Sequence, residues 1–194
     1  HPDILATAST LRAPFRAGKF ILDNTNKHFL RAFDGADGLK TGYHKRAKFN
    51  IAATAQRGDI RLIAVVLGAE STKDRTREAS RLLNHVFANY KRDTVMDEGE
   101  RLPDRVYVEG SAHEYAPLQV AGSLSIFAKR GDFARVRIVP LDVPVFEAPV
   151  AQGTPAGVIV AKRGDRELGR VPLVVAEPIE RAPILWRVWH WRTP

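Results

Sequence analysis

Asp37-Gly38-Leu39-Lys40-Thr41-Gly42-Tyr43 sets a Lys-Thr-Gly triad just ahead of a strong hairpin signal. The hairpin runs from Lys48-Phe49-Asn50-Ile51-Ala52-Ala53-Thr54-Ala55-Gln56 through Arg57-Gly58-Asp59 into Ile60-Arg61-Leu62-Ile63-Ala64-Val65-Val66-Leu67. Apolar runs with partial alternation on either side of a glycine-centred turn predict two antiparallel strands. The triad supplies chemistry that suits a site on a strand. The Lys40 ammonium is a compact point charge for a carboxylate, and the Thr41 hydroxyl both donates and accepts. Gly42 removes the side chain where a flat, peptide-like substrate would lie along the strand. Leu39 is expected to be buried, with Lys40 facing a groove from an edge strand.

A Lys-Thr-Gly on a strand beside the active site is one of three motifs of the serine β-lactamases and penicillin-binding proteins. From about Lys19 to Tyr90 the chain resembles the later part of the catalytic domain of the D-alanyl-D-alanine carboxypeptidases, the low-molecular-mass penicillin-binding proteins. Asp23-Asn24-Thr25-Asn26-Lys27 followed by Phe29-Leu30 is similar to that family's Asn-Thr-Asn-x-Leu segment. Asp37 to Tyr43 is close to the family form, and Phe49-Asn50-Ile51-Ala52-Ala53 matches its Phe/Tyr-Asn-Leu-x-Ala strand. The chain departs from the family at Lys48, where glycine is usual, and at His44 and Arg46, where small or hydroxyl residues are usual. The resemblance is specific around Lys40 and weaker after Asp93.

The resemblance implies an α+β fold. A partial penicillin-binding-protein/β-lactamase-like transpeptidase domain, an antiparallel sheet with a packed helix, is followed by a small all-β sandwich domain. It implies a serine-type carboxypeptidase that removes the terminal D-alanine of peptidoglycan pentapeptide stems. A serine upstream, activated by the lysine of its own Ser-x-x-Lys box, would attack the penultimate carbonyl, and water would cleave the acyl-enzyme. Lys40, Thr41 and Gly42 then carry catalysis, and Lys40, Thr41, Tyr43 and His44 meet the substrate, with backbone from Gly42 to His44 helping to form an oxyanion pocket. No metal or organic cofactor is implied, and β-lactams are expected to acylate the same serine. Neither the Ser-x-x-Lys nor the Ser-x-Asn box precedes Lys40, since Ser9 is followed by Thr10-Leu11-Arg12. The chain is therefore expected to be the C-terminal part of the enzyme and inactive alone. Two other readings stay open: a non-catalytic wall-binding or scaffold fragment, and another acyl-serine enzyme of the superfamily, a β-lactamase or DD-endopeptidase.

The 194 residues suit one or two domains, and 44% apolar residues supply at least one core. The absence of cysteine excludes disulfides and thiol chemistry, and no apolar run reaches the roughly 18 residues that span a bilayer. Charge is uneven. Residues 1–92 carry 17 Lys/Arg against 8 Asp/Glu, residues 93–178 carry 10 against 13, and residues 179–194 carry 3 against 1. No nucleic-acid motif accompanies the basic part, so peptidoglycan carboxylates or acidic headgroups are the expected partners and nucleic acid is not.

In chain order, a short helix is expected over Pro2 to Ala8, then an extended segment through Phe15. Lys19 to Leu22 reads as a strand ended by Asp23-Asn24-Thr25-Asn26. Asn24 and Asn26 are site candidates, although asparagines in such a turn more commonly hydrogen-bond loop backbone. Asp34-Gly35-Ala36-Asp37-Gly38 reads as a double Asp-Gly turn, and His44 as a rim residue. Ser71 and Thr72 are candidate N-caps. Ala79, Leu82, Leu83, Val86, Phe87 and Tyr90 form a helical stripe, with Arg75, Arg77 and Glu78 outside it.

The character changes at Lys91-Arg92-Asp93, which divides the chain into a catalytic part over 1–92, an all-β domain over 93–178 and a short aromatic tail over 179–194. Short apolar segments separated by Gly, Pro and charged pairs predict strands at Arg105–Val108, Ser123–Ala128, Ala134–Val139, Gly157–Ala161 and Arg170–Ala176, with no helical period. Arg-Gly-Asp occurs at 57–59, 130–132 and 163–165, and each is expected to be a hairpin turn rather than an adhesion site. The tail holds all three tryptophans, Trp186, Trp189 and Trp191, near Arg187 and Arg192. That composition suits an interfacial anchor, with a tail packed back on the β domain as the alternative. The family resemblance, in turn, implies a periplasmic enzyme peripheral on the outer face of the bacterial cytoplasmic membrane.

Overall fold

The structure is a computed structural model that describes residues 2–183. The chain forms two compact units, His1–Lys91 and a second beginning at Arg92. Its class is α+β, dominated by sheets. The tail tryptophans Trp186, Trp189 and Trp191 lie outside the described residues.

In the first unit, α1 (Pro2–Ser9) leads into a ribbon of β1 (Arg12–Phe15) and β2 (Phe20–Asp23), then a six-residue α2 (Lys27–Ala32). Three antiparallel strands follow in the order β3-β4-β5, namely β3 (Ala36–His44), β4 (Lys48–Arg57) and β5 (Ile60–Ala69). The helix α3 (Thr72–Asn89) closes the unit. The turn between β4 and β5 is where the Arg57-Gly58-Asp59 signal put it, since Arg57 pairs with Ile60 and leaves Gly58 at φ 59°. Ser71 caps α3: its hydroxyl accepts from the Asp74 N–H at 3.1 Å and donates to the Asp74 carboxylate at 2.7 Å. That hydroxyl, helped by Arg77 and Lys73, holds the Asp74 carboxyl below its usual range.

The core of this unit sits between the sheet and its helices. Ile51, Ala53, Ala55 and Ala64 from the strands meet Phe29 and Phe33 from the α2 region and Ala79 and Leu83 from α3. The run of alanines lets α3 lie close to the sheet, so the large side chains are concentrated on the helices. Burying a side chain such as Leu83 or Phe29 contributes about 1.5–3 kcal/mol. Arg57 ties this core to the turn side: its guanidinium lies 4.8 Å from the Phe33 ring and 4.5 Å from the Phe87 ring, with Nε donating to the Asp34 carbonyl at 3.1 Å.

Several expectations are corrected. Leu82 is 45% exposed while Arg75 is 6% exposed, so the buried stripe is Arg75, Ala79 and Leu83. These lie four residues apart, one turn after another, and that spacing outweighs the charge of Arg75. Leu39 is 37% exposed rather than buried, because β3 is an outer strand with too little packed beside it to cover a leucine. The second Asp-Gly, Asp37-Gly38, lies inside β3 and only Gly35 makes the turn. The segment after Asn26 is helical, where no helix was expected.

The second unit takes in β6 (Tyr90–Met96) from Arg92 onward, then β7 (Arg101–Glu109), β8 (Tyr115–Val120), β9 (Leu124–Lys129), a 3-10 helix (Arg130–Arg135), β10 (Arg137–Leu141), β11 (Phe146–Glu147), β12 (Pro155–Arg163) and β13 (Arg166–Val175). Six of these strands form one sheet in the order β10-β12-β13-β8-β7-β11, and β6 pairs with β9 separately. Met96, Leu124 and Ile126 from the small ribbon join Val106, Leu118, Ile159 and Leu173 from the large sheet in one core. Arg163-Gly164-Asp165 is a true hairpin, with Arg163 opposite Arg166. Arg130-Gly131-Asp132 is not: it begins the 3-10 helix and joins strands of different sheets. The resemblance between the two sequences is therefore local, and where each chain must go next decides its shape.

Gly35 sets the entry to β3. It has φ 80°, and a Cβ there would meet the Gln56 carbonyl oxygen at 2.2 Å, while its own carbonyl accepts from the Gln56 N–H at 2.8 Å. Gly35→Ala is expected to lower stability by about 2–5 kcal/mol, from the left-handed backbone and the clash together. Urea unfolding measures it, and a loss under about 1 kcal/mol would show that the turn relaxes freely.

Candidate active site

Strand β3 carries the triad along the outer edge of the three-stranded sheet. Lys40, Gly42, Tyr43 and His44 are exposed, while Thr41 is buried at 8% exposure, paired in register with Ile51. Asp37 fixes the strand at its root: it accepts from the Thr54 hydroxyl at 2.6 Å and pairs with Arg61 at 2.5 Å. Tyr43 packs at a tilt against Phe49, its register partner, with ring centroids 4.6 Å apart and the ring planes 40° from parallel.

The Thr41 hydroxyl is held by one partner that the sequence reading did not single out. Thr25 Oγ1 lies 2.6 Å from Thr41 Oγ1, and either can donate. Thr25 sits in the Asn-Thr-Asn loop, which Asn24 organises. Asn24 accepts from the Asn26 N–H at 2.8 Å and donates to the carbonyls of Ala8 at 2.8 Å and Thr10 at 2.9 Å. The backbone-bonding expectation thus holds for Asn24 and fails for Asn26. Asn26 stands at the N-cap of α2 without a side-chain cap bond, 4% exposed, and its Nδ2 has no partner among the described residues.

Lys40 folds back, its ammonium donating to the Thr41 carbonyl at 2.6 Å. It borders a groove of about 540 Å³ that also touches Ile4, Thr7, Ala8 and Leu39. His44 Nδ1 accepts from the Arg46 N–H at 3.3 Å, so the ring braces the turn after β3. Lys48 has φ 53°, in the left-handed region that glycine adopts without strain, and pairs with Glu70.

Arg75 is the second residue missed. From α3 its Nη1 reaches the carbonyl of Asn50 at 3.3 Å and that of Gly42 at 3.5 Å, and its guanidinium lies 5.8 Å from the Phe49 ring. Its Nε is buried without a partner, and no carboxylate pairs with it among the described residues. Burial pulls its pKa below the ordinary arginine value. The signal was available as its spacing from Ala79 and Leu83.

The chemistry within reach is therefore a flexible ammonium, a fixed hydroxyl and an open strand edge. No group of three or more His, Cys, Asp or Glu able to hold a metal occurs among the described residues. Thr25→Val keeps the shape of the loop but leaves the buried Thr41 hydroxyl unpaired, and is expected to cost about 1 kcal/mol of stability, with Thr25→Ser near wild type. Chemical denaturation checks this; equal stability of the two variants would mean the bond contributes nothing.

Residues 1–71 match the family model described as D-alanyl-D-alanine carboxypeptidase. The chain is 29% identical over 167 residues to D-alanyl-D-alanine carboxypeptidase DacF of Bacillus subtilis, covering 84% of this chain and 42% of that protein. It is 29% identical over 179 residues to D-alanyl-D-alanine carboxypeptidase DacC of Escherichia coli, covering 91% of this chain and 44% of that protein. The chain thus spans less than half the length of these curated relatives. Its fold is similar to that of penicillin binding protein 5 from Haemophilus influenzae, with TM-score 0.66 and 24% identity over 93% of this chain and 52% of that one. No helix among the described residues is long and apolar enough to cross a membrane. Residues 1–71 thus match the D-alanyl-D-alanine carboxypeptidase family model, and the chain as a whole is similar in sequence to members of that family.

Proposed function

We propose that the protein carrying this chain is a serine-type D-alanyl-D-alanine carboxypeptidase acting on peptidoglycan pentapeptide stems, with β3 as one wall of its active site. The observation that supports it most is the division of labour along β3. The Thr41 hydroxyl is buried and fixed by Thr25 at 2.6 Å, while Lys40 and Gly42 stand exposed on an outer strand. An extended peptide can lie along such an edge. A Cβ at Gly42 would meet only the Cβ of Asn50, at 3.9 Å, so packing within the described residues does not demand glycine there. A substrate backbone lying against the strand does.

In this reading a serine on the segment upstream attacks the carbonyl of the penultimate D-alanine. The lysine of the serine's own box takes the hydroxyl proton and passes it to the leaving D-alanine nitrogen; water then hydrolyses the ester and restores the serine. Lys40 swings from the Thr41 carbonyl to the substrate's terminal carboxylate, Thr41 hydrogen-bonds it, and Tyr43 and His44 shape the rim. Backbone between Gly42 and His44 donates to the tetrahedral oxygen. β-Lactams acylate the same serine.

Lys40→Ala in the intact protein is expected to lower kcat/KM at least about a hundredfold on a peptide with a free terminal carboxylate, by analogy with the 2–5 kcal/mol lost on truncating buried charged pairs. The loss should be much smaller when that carboxylate is amidated. The same fractional loss on both substrates, in a variant of unchanged thermal stability, would show that Lys40 does not recognise the carboxylate.

The location we propose is the periplasmic face of the cytoplasmic membrane, held there in part by the tail with Trp186, Trp189 and Trp191. Deleting residues 184–194 is expected to release the protein from anionic liposomes while its activity in solution stays unchanged. Equal retention before and after deletion would remove the anchor from the proposal.

A further inference from the structure

A buried arginine with long, shared contacts is an expensive residue to keep. Arg75 is 6% exposed, lies on the same face of α3 as Ala79 and Leu83, and finds no carboxylate among the described residues. Taking its charge out of water carries a penalty that two carbonyls at 3.3 and 3.5 Å offset only in part, and its Nε is left without a partner. An apolar side chain would fill the same place on the stripe more cheaply. The charge must therefore be sought in what it does to the groups it faces.

Those groups are two backbone carbonyls, one on each side of the register pair Gly42–Asn50. The Gly42 carbonyl shares a rigid peptide plane with the Tyr43 N–H. In a trans peptide the two point in opposite directions. A positive charge at the carbonyl oxygen fixes the rotation of that plane and draws electron density toward the oxygen. The N–H on the far side becomes a stronger donor, because hydrogen-bonded groups in a low-dielectric interior polarise one another. Here the charge is placed behind the peptide, so the strengthened N–H points away from Arg75.

We propose that Arg75 is a positioning residue that clamps and polarises the Gly42–Tyr43 peptide from beneath, so that the Tyr43 N–H serves as a preorganised donor to the oxyanion of acyl transfer. The inference rests on the acyl-transfer reading of β3 for its purpose, and on geometry alone for the clamp. It assigns Arg75 no contact with substrate. Its effect belongs to the step in which charge develops on the carbonyl oxygen, so it should appear in turnover rather than in substrate binding.

The test has two arms. In protein labelled with 15N-tyrosine, the Tyr43 amide is assigned by the loss of its cross-peak in Tyr43→Phe. Arg75→Met should shift the Tyr43 amide proton upfield while the Tyr107 and Tyr115 amides of the second unit stay in place, and Arg75→Lys should fall between Met and wild type. In the intact protein, Arg75→Met should lower kcat about tenfold or more with KM changed less than about threefold, and Arg75→Lys should recover part of the rate. A Tyr43 amide unmoved in a folded variant would overturn the clamp. A loss carried by KM with kcat intact would overturn its role in turnover. If Arg75→Met does not fold, Arg75→Gln and Arg75→Lys carry the same comparison. If the wild-type intact protein shows no acyl transfer at all, the functional reading of β3 falls, and the Tyr43 amide by itself then decides whether the clamp exists.

Discussion

Asp37 anchors the strand on which everything at this site depends. One of its oxygens accepts from Thr54 on β4 and the other from Arg61 on β5, so a single carboxylate joins all three strands of the sheet. The Arg61 pair alone is partly exposed, at 35% and 23% for the two side chains, and such pairs contribute little in isolation. Thr54 changes the balance, since it is 3% exposed and its hydroxyl would otherwise be buried without an acceptor. The consequence is register. A strand alternates its faces with period two, so a slip of one residue would turn Thr41 off the face it shares with Ile51 and bring Lys40 inward. The placing of Lys40, Thr41 and Gly42 is thus set three residues upstream of the triad.

The opposite end of the unit is organised around a cation. Arg57 follows the long apolar run of β4, and its guanidinium lies near both Phe33, beside α2, and Phe87, on α3, two residues far apart in sequence. Its Nε also bonds the Asp34 carbonyl, one residue before the turn at Gly35. The Asp-Gly turn, the β4–β5 hairpin and α3 therefore meet at one side chain. This explains why a motif resembling an adhesion sequence occurs here. The arginine is a packing residue, the glycine takes the turn, and the aspartate follows it.

Local chemistry made much of this legible from the sequence. The β4–β5 hairpin, the Ser71 cap and the helix over the Ala79 region each follow from a turn residue, a capping hydroxyl or an apolar period. The family likeness around Lys40 gave the fold class. What stayed hidden depended on tertiary context. Arg75 was read as solvent-facing because arginine usually is, although its spacing from Ala79 and Leu83 put it on the buried face. The role of Thr25 is invisible in its loop, because nothing local tells a loop hydroxyl that it will meet Thr41 sixteen residues later. Leu39 was assigned to the core by hydrophobicity, and an outer strand left it half covered. Arg130-Gly131-Asp132 has the composition of a hairpin turn, yet the chain there must cross from one sheet to another, and a 3-10 helix makes that crossing.

The two kinds of positive charge at the far end of β3 act over different ranges. Lys40, Lys45 and Arg46 are exposed, while Lys48 is partly neutralised by Glu70. Charges in water are screened over roughly 8 Å at physiological salt, so these residues can raise the local concentration of an acidic partner but discriminate poorly between partners. Arg75 lies beneath the same end, 6% exposed and shielded from that screening. Its field is felt most by the peptide it touches and weakens little with salt. Exposed lysines therefore suit the approach of a carboxylate, and the buried arginine suits a charge that appears only after arrival. A sequence that conserved net charge but exchanged these two populations, moving a cation from position 75 to the surface, would keep the steering field and lose the fixed one. Long-range steering and the fixed local field are separable in this fold because burial, rather than the number of charges, divides them.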